Sequence, residues 1–339
     1  MKLRLVALAL VCLLLVGCAA PGQTANKRFN ATFLDVFDTV TTIVGYAESE
    51  AAFTEIARAI HDDLLHYHRL FDIYNTYDGV VNLKNVNDAA GGEAVQVDEA
   101  IIALLKSCKE YYALTGSKVN AAMGSVLQLW HEARSDAYDD PANTYLPDKE
   151  KLEEASRHMS FDDVILDEAN STVRILDSEL RLDVGAIAKG WTAQRVAEKA
   201  PAGLLISVGG NVCATGPKAE DTPWVVGIQN PDGGDYVHTV YVSKGCVVTS
   251  GDYQRTYPVD GKMYHHIIDP ETLFPGEYFR SVTIICADSG LADALSTALF
   301  LMSLEEGMTL AAKCGAEAMW IDPEGKTVYT PGFEALIKH

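Results

Sequence analysis

The chain has 339 residues, 48% of them hydrophobic and 9% aromatic, and a formal net charge of −20 at pH 7. That composition supplies a globular core, and the length suits one large domain or two closely packed ones. It excludes a nucleic-acid backbone as partner, because such binding rests on Lys and Arg neutralising phosphates. For the same reason, any phosphate-bearing ligand must meet a positioned lysine or a metal ion.

The first predicted element is a leader. Lys2 and Arg4 precede an apolar run at 5–16, which ends in Leu15-Val16-Gly17-Cys18. A basic start, a short apolar segment and small residues before a cut site mark a secretory signal over 1–17. The run is shorter than the ~20 residues that span a bilayer. Cysteine directly after small residues is the lipoprotein form of the site. Cys18 is therefore the predicted lipidation site, with diacylglycerol on its sulfur and a further chain such as palmitate on its amine. The expected location is the extracytoplasmic face of a membrane, on the periplasmic side or the outer cell face. Residues 18–28 are small and polar and predict a flexible tether, with the folded domain over 29–339.

Residues 33–46 are rich in β-branched and aromatic types and predict a strand pair or one long strand. Helical patterns follow at 49–69, 98–114 and 121–132, and then a loop at 136–150 in which Pro147 opens another helix. From 160 the rhythm shortens. Strands are predicted in VILD, STVRIL and ELRLDV, then a helix in GAIAKGWTAQRVAEKA. Further strands fall in LLISVGG, WVVGIQN, YVHTVYV, CVVTS, YQRTYP, MYHHIID and SVTIICA. Val259-Asp260-Gly261-Lys262 is a hairpin turn, and 291–303 is an apolar helix. The pattern is α+β with largely antiparallel sheets flanked by helices. Beyond Cys12 and Cys18 the cysteines are Cys108, Cys213, Cys246, Cys286 and Cys314, with no CxxC spacing. They read as small buried hydrophobes, neither a disulfide framework nor a zinc site.

Walker, GxGxxG, GxSxG and HExxH motifs are absent from the sequence. Three segments carry candidate chemistry. In LADALSTALF, Asp293, Ser296 and Thr297 share one helix face. Their oxygens suit a hard cation, although such a pair more often only hydrogen-bonds locally. In RLDVGAIAKGWTAQRV, small residues lead from Asp183 into a helix whose start offers N–H groups to anions. Lys189 there is either a ligand cation or an exposed lysine. In MYHHIIDP, His265 and His266 lie on a predicted strand, so one points inward, as a general base or as a packed histidine.

These segments together resemble the ApbE family of FAD:protein FMN transferases. The resemblance covers FDTVTT, FDIYNTYDGVVNLKNVN, VNAAMGSV, DVGAIAKGWTAQRV, LLISVGGNVCATG, WVVGIQNP, TSGDYQR with HHIIDPETLFP, and ADALSTALF. It implies an ApbE-like fold and a metal, Mg²⁺ with Ca²⁺ or Mn²⁺ as alternatives, held by Asp293, Thr297 and the Ala186 carbonyl. Ser296 stands where relatives often carry a carboxylate or hydroxyl. FAD contacts are implied for Phe37, Tyr74, Ala122, Met123, Gly124, Asp183, Lys189 and Ile268, and His266 is the implied base. Asn120 and Ala-Met-Gly replace the family's Asp and Thr-Val-Gly pattern. The implied reaction moves FMN from FAD to a Thr or Ser hydroxyl of a redox protein, with AMP leaving. Implied acceptors are Rnf- or Nqr-type subunits or secreted flavin-carrying reductases. The rival readings are a metal-dependent FAD pyrophosphatase and a non-catalytic FAD-binding lipoprotein.

Overall fold

A computed structural model describes residues 26–339. The leader at 1–17, Cys18 and most of the predicted tether lie outside the described residues. The body is an eight-stranded sheet: β1 (Lys27–Val36), β2 (Thr39–Ala47), β3 (Leu204–Val208), β4 (Asn211–Ala214), β5 (Gly245–Gly251), β6 (Ser281–Cys286), β7 (Glu317–Ile321) and β8 (Thr327–Tyr329). The first strand thus starts at Lys27, inside the predicted tether. The eight strands lie side by side in chain order, each antiparallel to the next. The sheet is one meander carrying long insertions.

The largest insertion, 48–203, holds α1 (Glu50–Phe71), α2 (Leu83–Asp88), α3 (Glu99–Leu114), α4 (Gly124–Asp139), α5 (Lys149–Ala155) and α6 (Ala188–Lys199). Helices α7 (Ser289–Phe300) and α8 (Leu304–Lys313) join β6 to β7. Side-chain oxygens start several of these: Ser49 accepts from the Ala52 amide, Asp98 from Ala100 and Asp288 from Leu291. Each satisfies an N–H that has no partner within its helix. Among the described residues no helix is long and apolar enough to cross a membrane.

Both faces of the sheet are buried, and the two-residue period of a strand divides its side chains between them. Cys246, Val248, Ala318 and Trp320 join the core under α1, α6 and α7. Val247, Met319 and Ile321 face the ribbon of Trp224–Ile228 and His238–Val242. A smaller core packs α4 against the hairpin of Tyr257–Val259 and Lys262–Tyr264 through Val126, Trp130, Tyr257 and Leu273.

Three expectations change. Residues 179–184 pair with no strand beyond a single bridge at Arg181, because other groups take their backbone bonds. The Gly124 amide donates to the Arg181 carbonyl, and the Asn87 side chain takes both the N–H and C=O of Leu182. Helix α4 starts at Gly124 rather than 121 and runs to Asp139, into the predicted loop. The strands predicted in YQRTYP and MYHHIID shrink to Tyr257–Val259 and Lys262–Tyr264. Beyond Tyr264 the His265 ring accepts from the Ile267 amide and bends the chain out of the ladder.

Close backbone approach sets two glycines. A Cβ on Gly124 would lie 2.5 Å from the Arg181 carbonyl oxygen. One on Gly190 would meet the Ser289 carbonyl oxygen and lie 2.5 Å from Asp293 Cβ, where α6 crosses α7. Gly190→Ala is expected to destabilise the protein by about 1–3 kcal/mol in urea unfolding, because neither obstacle is a flexible side-chain end. Unchanged stability would show that the helices part freely.

Candidate active site

Three features meet at one end of the sheet: the β1–β2 turn, the β3–β4 turn and the last residues of β5. With the starts of α4 and α6 and the face of α7 they enclose a cleft of ≈ 360 Å³. It runs between the main core and the smaller core around α4.

The β1–β2 turn is strained. Phe37 and Asp38 both take left-handed backbone angles, φ 53° and 49°, which is uncommon for a residue as bulky as Phe. A hydrogen-bond chain holds it. The Phe37 amide donates to His68 Nδ1 (3.1 Å), His68 Nε2 meets the Tyr77 hydroxyl (3.3 Å), and that hydroxyl donates to Asp72 (2.6 Å). Burial pushes the Asp72 carboxyl up, yet bonds from Tyr77, Asn75 and two amides hold it below the usual carboxylate range. Such strain persists where the surroundings over-determine it, often at a ligand site; here it keeps Phe37 on the cleft wall.

At the far wall, Asp293 is 4% exposed. Its Oδ2 accepts from the Gly190 amide at 2.8 Å and lies 3.8 Å from Lys189 Nζ. Burial pushes this carboxyl's pKa up, against the pull of Lys189 and the Gly190 amide. Lys189 also donates to the Gly185 carbonyl at 3.2 Å. Thr297 shares this wall, 3.4 Å from the Ser250 hydroxyl. The buried Asn211 side chain lines the same corner, and its N–H faces the Asp293 carboxylate and helps hold that carboxylate's pKa down. The Asp293 carboxylate and the Thr297 hydroxyl offer oxygen donors on this wall, and Ala186 lines the same cleft, a set whose chemistry fits Mg²⁺.

Opposite lie the histidines. His265 is spent on structure: its Nε2 donates to the Gly276 carbonyl (2.9 Å) and its Nδ1 accepts from Ile267 (3.2 Å). His266 gives Nδ1–H to the Gln254 carbonyl (3.1 Å), which leaves Nε2 unprotonated on a ring that lines the cleft. Burial first, then Arg255, Arg134 and Lys189, press its pKa down to about 3. An NMR titration of the ligand-free protein should therefore find this ring still neutral at about pH 5. A midpoint at the ordinary ~6.5 would contradict the cationic environment. Because the unfolded chain takes this proton first, the group weakens the fold as pH falls from ~6.5 towards that depressed value.

Phe37, Tyr74, Met123, Asp183, Ala186, Lys189, His266, Ile268, Asp293 and Thr297 all line the one cleft. Three candidates do not. Ala122 is fully buried, with its amide bound to Asn120 Oδ1. Gly124 serves the contact with Arg181. Ser296 is buried behind the wall, bonded to the Ser250 hydroxyl and the Asp293 carbonyl. Asn120 does line the cleft, but its side chain donates to the Met159 carbonyl and accepts from the Ala122 amide, so its difference from the family's Asp acts on the turn. Sequence reasoning missed Lys118, Arg134, Arg255, His68, Asn211 and Ser250, which also line the cleft. Lys118 pairs with Asp269 at 3.1 Å, and Arg134 donates to His131 at 3.0 Å. The His131 ring stacks on the half-exposed Tyr74. Within the resemblance, TSGDYQR covers Ser250 and Arg255 and LLISVGGNVCATG covers Asn211; nothing in the sequence pointed at the other three.

Four cations of an acidic chain, Lys118, Arg134, Lys189 and Arg255, thus line one aromatic-walled cleft, the class of site that holds a phosphate ester with flat rings. The chain belongs to the ApbE family, whose model matches residues 37–320. It is 32% identical over 346 residues to the FAD:protein FMN transferase of Treponema pallidum, covering 95% of this chain and 92% of that one. With the enzyme of the same name from Klebsiella pneumoniae it shares 31% over 265 residues, 73% of this chain and 78% of the other. The crystal structure of the ApbE protein of Thermotoga maritima matches with a TM-score of 0.82 at 30% identity, covering 92% of this chain and 100% of that one. The flavin transferase ApbE of Vibrio cholerae matches with 0.76 at 21%, a likeness of fold, over 92% and 99%.

Proposed function

We propose that this protein is an FAD:protein FMN transferase. The observation that carries the reading is a neutral His266, Nε2 free, in the same cleft as Lys189 and the buried Asp293. Binding FAD alone requires no base; transferring its FMN does. A protein Thr or Ser hydroxyl attacks the FMN-side phosphorus, its proton passes to His266 Nε2, and the bond to the AMP oxygen breaks. Lys189, with Arg134 and Arg255, faces the charge of the diphosphate. Tyr74 offers a face on which a flavin or adenine ring stacks. A Mg²⁺ ion held by Asp293, Thr297 and the Ala186 carbonyl would neutralise phosphate charge. Because Ser296 is turned away, the ion would draw its other ligands from water and substrate.

The leader pattern ending at Cys18 supports an extracytoplasmic, membrane-anchored location for this reaction, and the resemblance supports Rnf- or Nqr-type subunits or secreted flavin reductases as acceptors. The test is incubation with FAD and Mg²⁺, with and without a flavin-acceptor domain, reading in-gel flavin fluorescence and AMP. A fluorescent acceptor with matching AMP is expected. AMP and free FMN regardless of acceptor would make the protein a pyrophosphatase, and FAD binding without AMP would leave a binder.

A further inference from the structure

Strands β4, β5 and β6 set three cysteines in a row. Cys246 lies directly opposite Cys213 on one side and Cys286 on the other. All three join the core beneath the helices. Directly opposed residues of an antiparallel pair have Cα atoms about 4.5–5.5 Å apart, within the range a disulfide needs. The two neighbours differ. Cys246 Sγ is 3.1 Å from Cys213 Sγ, whereas the Cys286 thiol donates to the Asp288 carbonyl at 3.1 Å.

We propose that Cys213 and Cys246 form a disulfide as the exported chain folds. The inference goes beyond the transferase reading and rests on the placement implied by the leader, because disulfides persist in oxidising compartments. A protein or small-molecule disulfide accepts the electrons. One thiolate attacks it to give a mixed disulfide, and the second displaces the reduced carrier. Two protons leave, and the carrier departs as a dithiol or as two thiols. The step precedes closure of the sheet. Both cysteines are buried in the finished fold, and the hydrogen-bonded Cys213 thiol together with burial pushes the Cys246 pKa far up. The bond would join β4, which starts at Asn211, to β5, which ends at Thr249, Ser250 and Gly251 on the cleft. Gln194, which accepts from the Ser289 amide at the start of α7, lies 3.8 Å from Cys246 Sγ. The staple would therefore sit behind the wall that carries Asp293.

The full chain is refolded from the reduced, denatured state in an oxidising glutathione buffer, then unfolded in denaturant containing N-ethylmaleimide, so that buried free thiols such as Cys108 are reached, and mapped by mass spectrometry. A Cys213–Cys246 linked peptide is expected, with Cys108, Cys286 and Cys314 alkylated. Alkylation of Cys213 and Cys246, or a Cys246–Cys286 link, would overturn the proposal. The oxidised protein should melt roughly 5 °C above the same protein refolded with reductant. Cys213→Ala should abolish that difference, and an equal difference in the variant would also overturn the proposal. Repeating the map on protein trapped in cells tests the compartment separately: a link formed in refolding but absent in cells would overturn the claim of oxidation during export.

Discussion

Asp293→Asn is expected to lower AMP release from FAD about 10³-fold while the protein stays folded. The carboxylate does two jobs, and this substitution separates them. Its charge is buried at the cleft wall beside Lys189, and its oxygen receives the Gly190 amide as α6 enters its first turn. Asn keeps an oxygen for that amide and removes only the charge. Asp293→Ala removes both and leaves a buried N–H unpaired, which costs about 1–3 kcal/mol. The Asn variant should therefore unfold in urea close to wild type, with the Ala variant clearly below it. A rate within tenfold of wild type for Asp293→Asn would remove this residue as the anchor of the cation site.

His266→Ala is expected to lower transfer to the acceptor by about 10²–10⁴-fold and to leave FAD affinity within a few-fold of wild type. The ring is neutral and spends its one N–H on Gln254, so it contributes little to holding an anion. FAD binding measured by flavin fluorescence quenching, beside single-turnover transfer, separates the two effects. Parallel loss of affinity and rate would mean that His266 shapes the pocket instead of taking a proton. His265→Ala is the contrasting variant. That ring ties Gly276 and Ile267 together, so its loss should appear first in stability.

Local signals were legible where local chemistry decides. Helices α1, α3 and α7 follow from apolar periodicity, and the structure starts them at caps on Ser49, Asp98 and Asp288. The turn at Asp260 and Gly261 follows from its residue types, and both adopt positive φ. The segment 179–184 did not follow. Its alternation is that of a strand, but its partners are a helix start and the Asn87 side chain, and nothing in its own residues names a partner. Paired histidines posed the same difficulty: alternation predicts that one faces inward, and hydrogen bonds to distant carbonyls decide which one is free.

The sequence by itself determined the α+β class and, through eight ordered motifs, the family and most of the cleft residues. These are properties of neighbouring residues or of their order. Only the tertiary structure decided that His68, Asn211, Ser250, Arg134 and Arg255 share the cleft with Phe37, because they come from segments that meet only when the meander closes. It also turned Ser296 away from the cleft and brought Cys213 beside Cys246. Spacing along a helix gives the face a residue shares, but which face meets the cleft depends on what packs against it. Strand register, set by pairing across the sheet, decides which residues lie opposite one another.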